Sequence, residues 1–223
     1  MPLEVEILPD PDAVAERGAQ IVASAAAHAV ADRDRFTFAV SGGRTPWAMF
    51  SALHGRMPWE KATVFQVDER IAPEDDPDRN LTQLRRALPA GVAVDVRPMP
   101  VWADDLEEAA AIYADALPAQ LDLVHLGLGP DGHTASLVPG DSVLAVHDRD
   151  VALTGSEYQG RRRMTLTYPA INRARQILWL VTGSDKADAL RRLRAGDKTI
   201  PSGWISTENA YVLADVAAAG GGS

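Results

Sequence analysis

The sequence lacks cysteine altogether, and it is short of aromatic residues and of positive charge. Its 223 residues include no Cys, 6% Phe, Trp and Tyr, and 22 Lys and Arg against 31 Asp and Glu. Without thiols there is no disulfide framework, no cysteine nucleophile and no thiolate metal site. The net charge of −9 argues against general binding to nucleic acid or anionic membranes, because both would be repelled. A small anionic substrate, which meets only a local field, is not excluded.

Long hydrophobic runs are missing as well. The most apolar stretch, residues 21–31, contains Ser24 and His28 and is too short to span a bilayer. The opening residues, MPLEVEILPDPD, carry neither the basic nor the apolar segment of a secretory signal. We therefore expect a soluble, cytoplasmic protein, either a monomer or a small homo-oligomer.

Several catalytic signatures are also absent. The sequence has no H-x-x-x-H or H-E-x-x-H pair of the kind that binds zinc, no G-x-S-x-G turn and no Walker phosphate loop. These absences argue against a metalloenzyme, a nucleophile-elbow serine hydrolase and a P-loop nucleotide enzyme.

What the sequence does contain is an alternation of short apolar runs with amphipathic stretches. Strands are predicted at residues 5–8, 36–40, 63–67, 94–99, 121–126, 151–153, 164–167, 176–181 and 211–216. Helices are predicted from Pro11, capped by Asp10, from Thr45, at residues 81–88 and 104–117, and from Ser184 to about residue 193. The alternation predicts a mostly parallel sheet with helices on both faces, the doubly wound class of α/β fold. We expect one domain over residues 1–216 and a flexible tail over residues 217–223.

Four loops follow predicted strands at their carboxyl ends, where ligands bind in sheets of this class. They lie at residues 41–45, 68–70, 127–133 and 183–186. We expect all four to converge on one crevice.

Two of these loops have the chemistry of a phosphate site. In the loop SGGR at residues 41–44, glycines let backbone N–H groups approach an anion, and the following helix presents its positive end. Lys186 falls in the first turn of a predicted helix, where a cation meets the dipole unfavourably unless an anion binds. Both features also have plainer explanations, since a tight turn needs glycine and Asp185 or solvent can neutralise Lys186.

The loop at residues 68–70 is fully charged. Asp68, Glu69 and Arg70 end a predicted buried strand, at the edge where α/β sites are built, and polar residues 78–80 would line the same opening. The alternative is a solvated strand end whose charges pair with one another.

The loop at residues 127–133, GLGPDGH, is the most informative segment. It contains G-x-G-x-x-G, but Pro130 lies inside it and Pro139 follows closely, which leaves no long helix to carry a dinucleotide pyrophosphate. A histidine on a tight glycine loop suits a general base, because imidazole titrates near neutral pH. His133 is the candidate base, and Asp131 is close enough to orient it or to contact substrate. We expect structural roles for the remaining histidines, His28, His54, His125 and His147.

Taken together, these segments resemble the 6-phosphogluconolactonase family. The matching motifs are SGGRTP at 41–46, VDERIAP at 67–73, PDRN at 77–80, LGLGPDGHTASLVPG at 126–140, RMTLTYPAIN at 163–172 and VTGSDKADAL at 181–190. They occur in the family's order and cover most of the chain. The resemblance implies a modified Rossmann-like α/β domain, a fold which that family shares with glucosamine-6-phosphate deaminases. It also implies that no metal or organic cofactor takes part.

The resemblance further implies a reaction and a set of roles. His133 would activate water to attack the lactone carbonyl of 6-phospho-D-glucono-1,5-lactone, opening the ring to 6-phosphogluconate in the oxidative pentose phosphate pathway. Asp68 and Arg70 would line the sugar site, through hydroxyl contacts, structural pairing or stabilisation of the oxyanion. Backbone N–H groups at residues 129–134 are further candidates for the oxyanion. The 6-phosphate would be held by Ser41, Gly42, Gly43, Arg44, Arg163 and Lys186.

Some positions depart from the family's pattern. Arg44 and Arg79 stand where the family often has serine, and Arg161 and Arg162 stand where prolines are common, so the arginine that contacts phosphate is open. The deaminases place a glutamate before the proline that follows the D-G-H loop, whereas this chain has Val138, which cannot transfer a proton. A deaminase-isomerase is therefore the nearest alternative, and a non-catalytic sugar-phosphate sensor is another.

Overall fold

Strands and helices alternate through residues 3–221, the part of the chain that the computed structural model describes. The strands are β1 (Glu4–Leu8), β2 (Phe36–Val40), β3 (Ala62–Gln66), β4 (Asp68–Arg70), β5 (Asp95–Arg97), β6 (Leu123–Leu126), β7 (Val151–Leu153), β8 (Arg163–Leu166), β9 (Ile177–Val181) and β10 (Ala210–Asp215). The α-helices are α1 (Pro11–Arg33), α2 (Arg44–Ala52), α3 (Asn80–Ala87), α4 (Leu106–Ala116), α5 (Tyr168–Asn172) and α6 (Ala187–Arg194). None of the helices in this range is long and apolar enough to cross a membrane.

Seven of the strands form one sheet in the order β1-β10-β9-β6-β2-β3-β5. Every neighbouring pair in this sheet is parallel, which confirms the predicted parallel architecture. Because β9, β6, β2 and β3 are adjacent, the loops that follow them emerge side by side at the carboxyl edge of the sheet.

The two faces of the sheet are buried under different layers. Along β2, Phe36, Phe38 and Val40 belong to a core shared with α1, α2 and α3, whereas Ala39 belongs to the opposite core. That second core contains residues of α4, α5 and α6 and of strands β7 and β8. Helices therefore cover both faces, as the doubly wound class requires.

A second, smaller sheet of β4, β8 and β7 was not predicted. Its strands pair antiparallel, and the chain enters it at Val67, whose N–H donates to Val40 while its carbonyl accepts from Leu166. The prediction that residues 68–70 end a strand of the main sheet is wrong in this respect. Asp68–Arg70 is a separate strand because it pairs with β8 instead.

Two helix starts were predicted from capping signals. The first is confirmed, since the Asp10 carboxylate accepts the Ala13 N–H at 2.8 Å and Pro11 opens α1. The second differs, because Ser184–Lys186 forms a 3₁₀ turn and α6 begins only at Ala187. Lys186 therefore lies just before α6 rather than inside its first turn.

The described chain closes with a turn after β10. Ala218 is buried, and its N–H donates to the Asp215 carboxylate at 2.7 Å. The tail was predicted to be flexible over residues 217–223, of which residues 222 and 223 lie outside the described residues.

A fully buried histidine on β6 supports one of the loops at the carboxyl edge. His125 is 0% exposed, and its Nδ1 accepts the Ser41 N–H at 3.3 Å. Burial lowers the pKa of His125 to about 3, so the imidazole is neutral at pH 7. The glycine loop therefore begins on a neutral hydrogen-bond acceptor.

His125→Asn should flatten the pH dependence of stability, because the asparagine amide can still accept the Ser41 N–H but does not titrate. In the native chain the folded pKa of His125 is depressed from 6.5 to about 3, so the unfolded chain binds the proton first. The free energy of unfolding should then fall as the pH drops from 6.5 to about 3, by up to about 1.4 kcal/mol per pH unit. Urea unfolding across this window measures the slope. The exposed His28 on α1 supplies the control variant His28→Asn, which should keep the native slope. An unchanged slope in His125→Asn would contradict the assignment.

Candidate active site

A cavity of about 300 Å³ opens at the carboxyl edge of the parallel sheet. Its walls come from the loops after β2, β6 and β9, together with β4 and β8 of the small sheet. It is lined by every predicted site residue except Asp131, namely Ser41, Gly42, Gly43, Arg44, Asp68, Arg70, His133, Arg163 and Lys186. The four predicted loops thus meet at one cavity, while the chemical roles of their residues stay predictions.

His133 stands on the cavity wall and is paired with Asp131. Its Nδ1 lies 2.6 Å from Asp131 Oδ1, and the same oxygen accepts the His133 backbone N–H at 3.1 Å. Gly129 permits this approach, because a Cβ at that position would lie 2.0 Å from Nδ1 and 2.7 Å from the carboxylate oxygen. A carboxylate on Nδ1 assigns the proton to that nitrogen and leaves Nε2 as the basic nitrogen of the ring.

The surroundings of Asp131 keep it ionised. Partial burial acts to raise the pKa of its carboxyl group, but the hydrogen bonds from His133, the charge of that imidazole and the Tyr158 hydroxyl outweigh burial and lower the pKa below 3.8. An ionised Asp131 stabilises the imidazolium that forms when His133 accepts a proton.

Tyr158 is a neighbour of this pair that the sequence analysis missed. Its hydroxyl oxygen lies 3.2 Å from Asp131 Oδ2 and 3.3 Å from His133 Nδ1. The tyrosine and histidine rings meet edge to face with their centroids 5.1 Å apart. Tyr158 belongs to none of the motifs, and its position shortly before Arg163 was the only available signal.

The three charged residues of β4 divide between the cavity and the interior. Asp68 and Arg70 line the cavity, whereas Glu69 is 0% exposed and lies on the opposite side, as alternation along a strand requires. The Glu69 carboxylate accepts the backbone N–H groups of Asn80 and Leu81, each at 2.8 Å. Glu69 thereby ties the start of α3 to β4 and brings Asn80 to the cavity.

Asp68 is held in place from three sides. Ser136 Oγ donates to Asp68 Oδ2 at 2.7 Å, and Asn80 Nδ2 donates to the Asp68 backbone carbonyl at 2.9 Å. Arg163 Nη1 lies 3.9 Å from the same carboxylate oxygen. These contacts fix the orientation of the carboxylate at the cavity wall. Ser136 lies within the DGHTASL motif, but no pattern in that motif distinguishes it from its neighbours.

Four cationic side chains line the cavity: Arg44, Arg70, Arg163 and Lys186. Burial lowers the pKa of Arg163, while the charge of Asp68 acts in the opposite direction, and the guanidinium stays protonated at neutral pH. The Nε atoms of Arg70 and Arg163 have no hydrogen-bond partner among residues 3–221. The four side chains therefore bring positive charge to the cavity, although Lys186 Nζ also lies 2.8 Å from the Asp185 carboxylate.

The other arginines that stood as candidates for phosphate contact are engaged elsewhere. Their contacts are Arg79 with Glu69 (3.6 Å), Arg161 with Asp76 (3.0 Å) and Arg162 with the Thr154 carbonyl (3.1 Å). None of the three lines the cavity, which leaves Arg163 as the member of the Arg161–Arg163 run that can reach a ligand there.

The glycine loop leads into the start of α2. Gly43 has a φ of 140°, a value that favours glycine, and α2 begins at the next residue. Gly42 packs on Asn80, since a Cβ there would lie 1.9 Å from the Asn80 amide oxygen. Helix α2 has no side-chain cap, so its first N–H groups and the positive end of its dipole are available to an anion in the cavity.

These groups together suit hydrolysis of a small anionic substrate. A histidine base paired with a carboxylate can activate water, and cationic side chains can hold an anion and a developing oxyanion. Within residues 3–221, no three His, Asp or Glu side chains lie close enough together to hold a metal ion.

Comparison with known proteins gives both a family and a fold. The sequence matches the family of glucosamine-6-phosphate isomerases/6-phosphogluconolactonase over residues 9–214. A 6-phosphogluconolactonase from Synechocystis is 39% identical over 207 residues, which cover 86% of this chain and 85% of the relative. The crystal structure of a 6-phosphogluconolactonase from Shewanella baltica has a TM-score of 0.87 at 24% identity, with 96% of this chain and 97% of that chain covered.

A monomeric glucosamine-6-phosphate deaminase is also similar in structure, with a TM-score of 0.85 at 20% identity and 99% and 100% of the two chains covered. At such identities the two solved structures establish a shared fold alone, the α/β fold predicted from the sequence. The family match extends over nearly the whole chain, and the Synechocystis relative shares more than a third of the aligned residues. This chain belongs to the family of glucosamine-6-phosphate isomerases and 6-phosphogluconolactonases.

Proposed function

We propose that this protein is a 6-phosphogluconolactonase, which hydrolyses 6-phospho-D-glucono-1,5-lactone to 6-phosphogluconate in the oxidative pentose phosphate pathway. The observation that carries the proposal is the Asp131–His133 pair on the wall of a cavity lined by cationic side chains. The name of the relative from Synechocystis, at 39% identity over most of the chain, supports it.

His133 acts as the general base. Its Nε2 takes a proton from a water molecule, and the oxygen of that water forms a bond to the lactone carbonyl carbon, which gives a tetrahedral oxyanion. Asp131 stabilises the imidazolium during this step. The bond between the carbon and the ring oxygen then breaks, and the imidazolium gives its proton to the departing oxygen. The new carboxylic acid releases its own proton to solvent, and His133 is regenerated.

Arg70 is the stronger candidate to stabilise the oxyanion. In the catalytic loop the N–H groups of Gly129, Gly132 and His133 already donate to protein oxygens. Arg70 lines the same cavity with a charged guanidinium, of which Nη1 donates to the Asp78 carbonyl. A donor in this role is worth about 2.7–4 kcal/mol of transition-state stabilisation.

The 6-phosphate binds where the glycine loop approaches Lys186. The start of α2 and the side chains of Arg44 and Lys186 supply backbone donors and positive charge, and Arg163 adds a buried cation beside Asp68. Asp68, held by Ser136 and Asn80, accepts a hydrogen bond from a hydroxyl group of the sugar.

Neither alternative function fits the residues of this site as well as lactone hydrolysis does. A deaminase would need the glutamate that occupies the position of Val138, and Val138 is 8% exposed and does not line the cavity. A sugar-phosphate sensor needs the cationic cavity but not a paired base, so the Asp131–His133 geometry favours catalysis.

The net charge of the chain also bears on its binding partners. We propose a small-molecule substrate and no nucleic acid or membrane partner, because a net charge of −9 repels polyanions. We further propose that the protein works in the cytoplasm as a monomer or small homo-oligomer.

A direct assay distinguishes the two activities of the family. The protein should accelerate hydrolysis of freshly generated 6-phosphogluconolactone, followed as acid release after subtraction of the spontaneous rate. It should release no ammonia from glucosamine 6-phosphate, because Val138 offers no proton-transfer group. Ammonia release without lactone hydrolysis would overturn the proposal in favour of the deaminase. Binding of both compounds with no turnover would favour the sensor.

His133→Ala should lower kcat for the lactone by about 100-fold or more, the range typical of removing a general base. The matched control is His28→Ala, because His28 is exposed on α1, far from the cavity. The control should keep native kcat, and thermal melting should indicate that both variants fold. Near-native turnover by His133→Ala would rule out the mechanism.

Lys186→Ala should mainly raise KM, by about tenfold, because the variant loses one charge-assisted contact with the phosphate. Kinetics on an unphosphorylated gluconolactone should be unaffected by the substitution. Lys61→Ala is the control, since Lys61 pairs with Asp34 at the opposite edge of the sheet. An equal loss on both lactones would contradict a phosphate role for Lys186.

A further inference from the structure

The loop between β7 and β8 is a hydrogen-bonded hairpin that passes beside the catalytic pair. Tyr158 and Arg161 form a β-bridge, with the Tyr158 N–H donating to the Arg161 carbonyl at 2.9 Å. The two residues between them, Gln159 and Gly160, have φ values of 53° and 75°. Positive φ at both central positions is the mark of a type I′ turn, which holds its flanking residues in a fixed twist.

Hydrogen bonds also hold the base of this hairpin. The Asp141 carboxylate accepts the N–H groups of Gly155 and Ser156, each at 2.9 Å. On the other arm, the Arg163 N–H donates to Thr154 Oγ1 at 3.0 Å. The position of Tyr158 is therefore set by backbone hydrogen bonds on both arms rather than by its side chain.

The Tyr158 hydroxyl completes the hydrogen bonding of Asp131. Asp131 Oδ1 already accepts the Nδ1–H and the backbone N–H of His133, and Tyr158 donates to the other oxygen, Oδ2, at 3.2 Å. Burial raises the pKa of Tyr158, and the Asp131 charge raises it further, so the phenol keeps its proton at neutral pH. Both oxygens of a carboxylate that is 36% exposed to solvent thus have a fixed donor.

We propose that Tyr158 is a positioning residue for the Asp131–His133 pair: its hydroxyl fixes the Asp131 carboxylate so that His133 holds its proton on Nδ1 and presents Nε2 to the cavity. The catalytic part of this inference rests on the proposed lactonase function, whereas the geometric part does not. Without the hydroxyl, Asp131 Oδ2 turns to solvent, and the carboxylate gains a rotation that loosens its bond to Nδ1.

The Tyr158 ring has a second, separable contact. The Arg163 guanidinium lies over it at 5.1 Å from the ring centroid, and Arg163 Nη2 donates to the Tyr158 carbonyl at 3.3 Å. One aromatic side chain therefore touches both the base and a cation of the substrate site. Removal of the hydroxyl alone should affect chemistry, whereas removal of the whole ring should also affect binding.

The test compares Tyr158→Phe, Tyr158→Ala and the matched control Tyr211→Phe. Tyr211 donates its hydroxyl to the Glu6 carboxylate at 2.6 Å on the far edge of the sheet, so its variant loses the same kind of bond away from the cavity. Tyr158→Phe should lower kcat about tenfold with KM within about twofold, the effect of losing one hydrogen bond to a charged group. Tyr158→Ala should lower kcat similarly and raise KM as well, and Tyr211→Phe should match the native enzyme.

Proton NMR gives a readout that does not depend on activity. A hydrogen bond of 2.6 Å predicts a downfield, slowly exchanging Nδ1–H resonance for His133, identified by its absence in His133→Ala. This resonance should broaden in Tyr158→Phe and stay sharp in Tyr211→Phe. A native kcat in Tyr158→Phe would overturn the inference, and so would a lower kcat with an unchanged resonance. A native enzyme without lactonase activity would refute the proposed function, while broadening of the resonance in Tyr158→Phe would still support the positioning.

Discussion

The buried carboxylate of Glu69 is the contact on which the site depends. It accepts hydrogen bonds from the Gln66 side chain and from the N–H groups of Arg70, Asn80 and Leu81, all at 2.8 Å. Those donors lie on the end of the parallel sheet, on β4 and on the first turn of α3. Loss of this carboxylate would leave several buried N–H groups without an acceptor, which is costly in an interior of low dielectric. One side chain thus fixes the strand that carries Asp68 and the helix start that carries Asn80.

The sequence predicted the main sheet well because its strands are apolar runs buried on both faces. The β9 strand, Ile177–Val181, has no polar residue and is buried throughout, so it could be identified without its partners. The small sheet could not be predicted in the same way. Strand β4 is three charged residues whose pairing with β8 depends on contacts distant in sequence. Its position explains why the prediction joined Asp68–Arg70 to the preceding strand.

Site residues in loops that follow strands of the main sheet could be predicted from the sequence, whereas a site residue placed by a hairpin turn could not. His133 and the glycine loop stand in the loops that follow β6 and β2, so their convergence followed from the parallel order of the strands. Tyr158 reaches Asp131 through a hairpin whose first turn residue is Gln159. Gln159 adopts a left-handed backbone conformation that is uncommon for residues other than glycine, so the sequence did not indicate this turn. The supporting roles of Ser136 and Glu69 were hidden for a related reason, since both residues bond to other protein groups that are distant in sequence.

The adjacency of β9, β6, β2 and β3 also constrains how the protein reaches its working state. The cavity takes its walls from segments near the start, middle and end of the chain, from Ser41 to Lys186. Parallel pairing of such distant segments carries a loop-closure cost before any contact repays it, and sheets of this kind form slowly. The complete set of cavity walls is therefore assembled only once β9, β6 and β2 have paired. An activity that needs the whole cavity thus reports that segments distant in sequence have folded together.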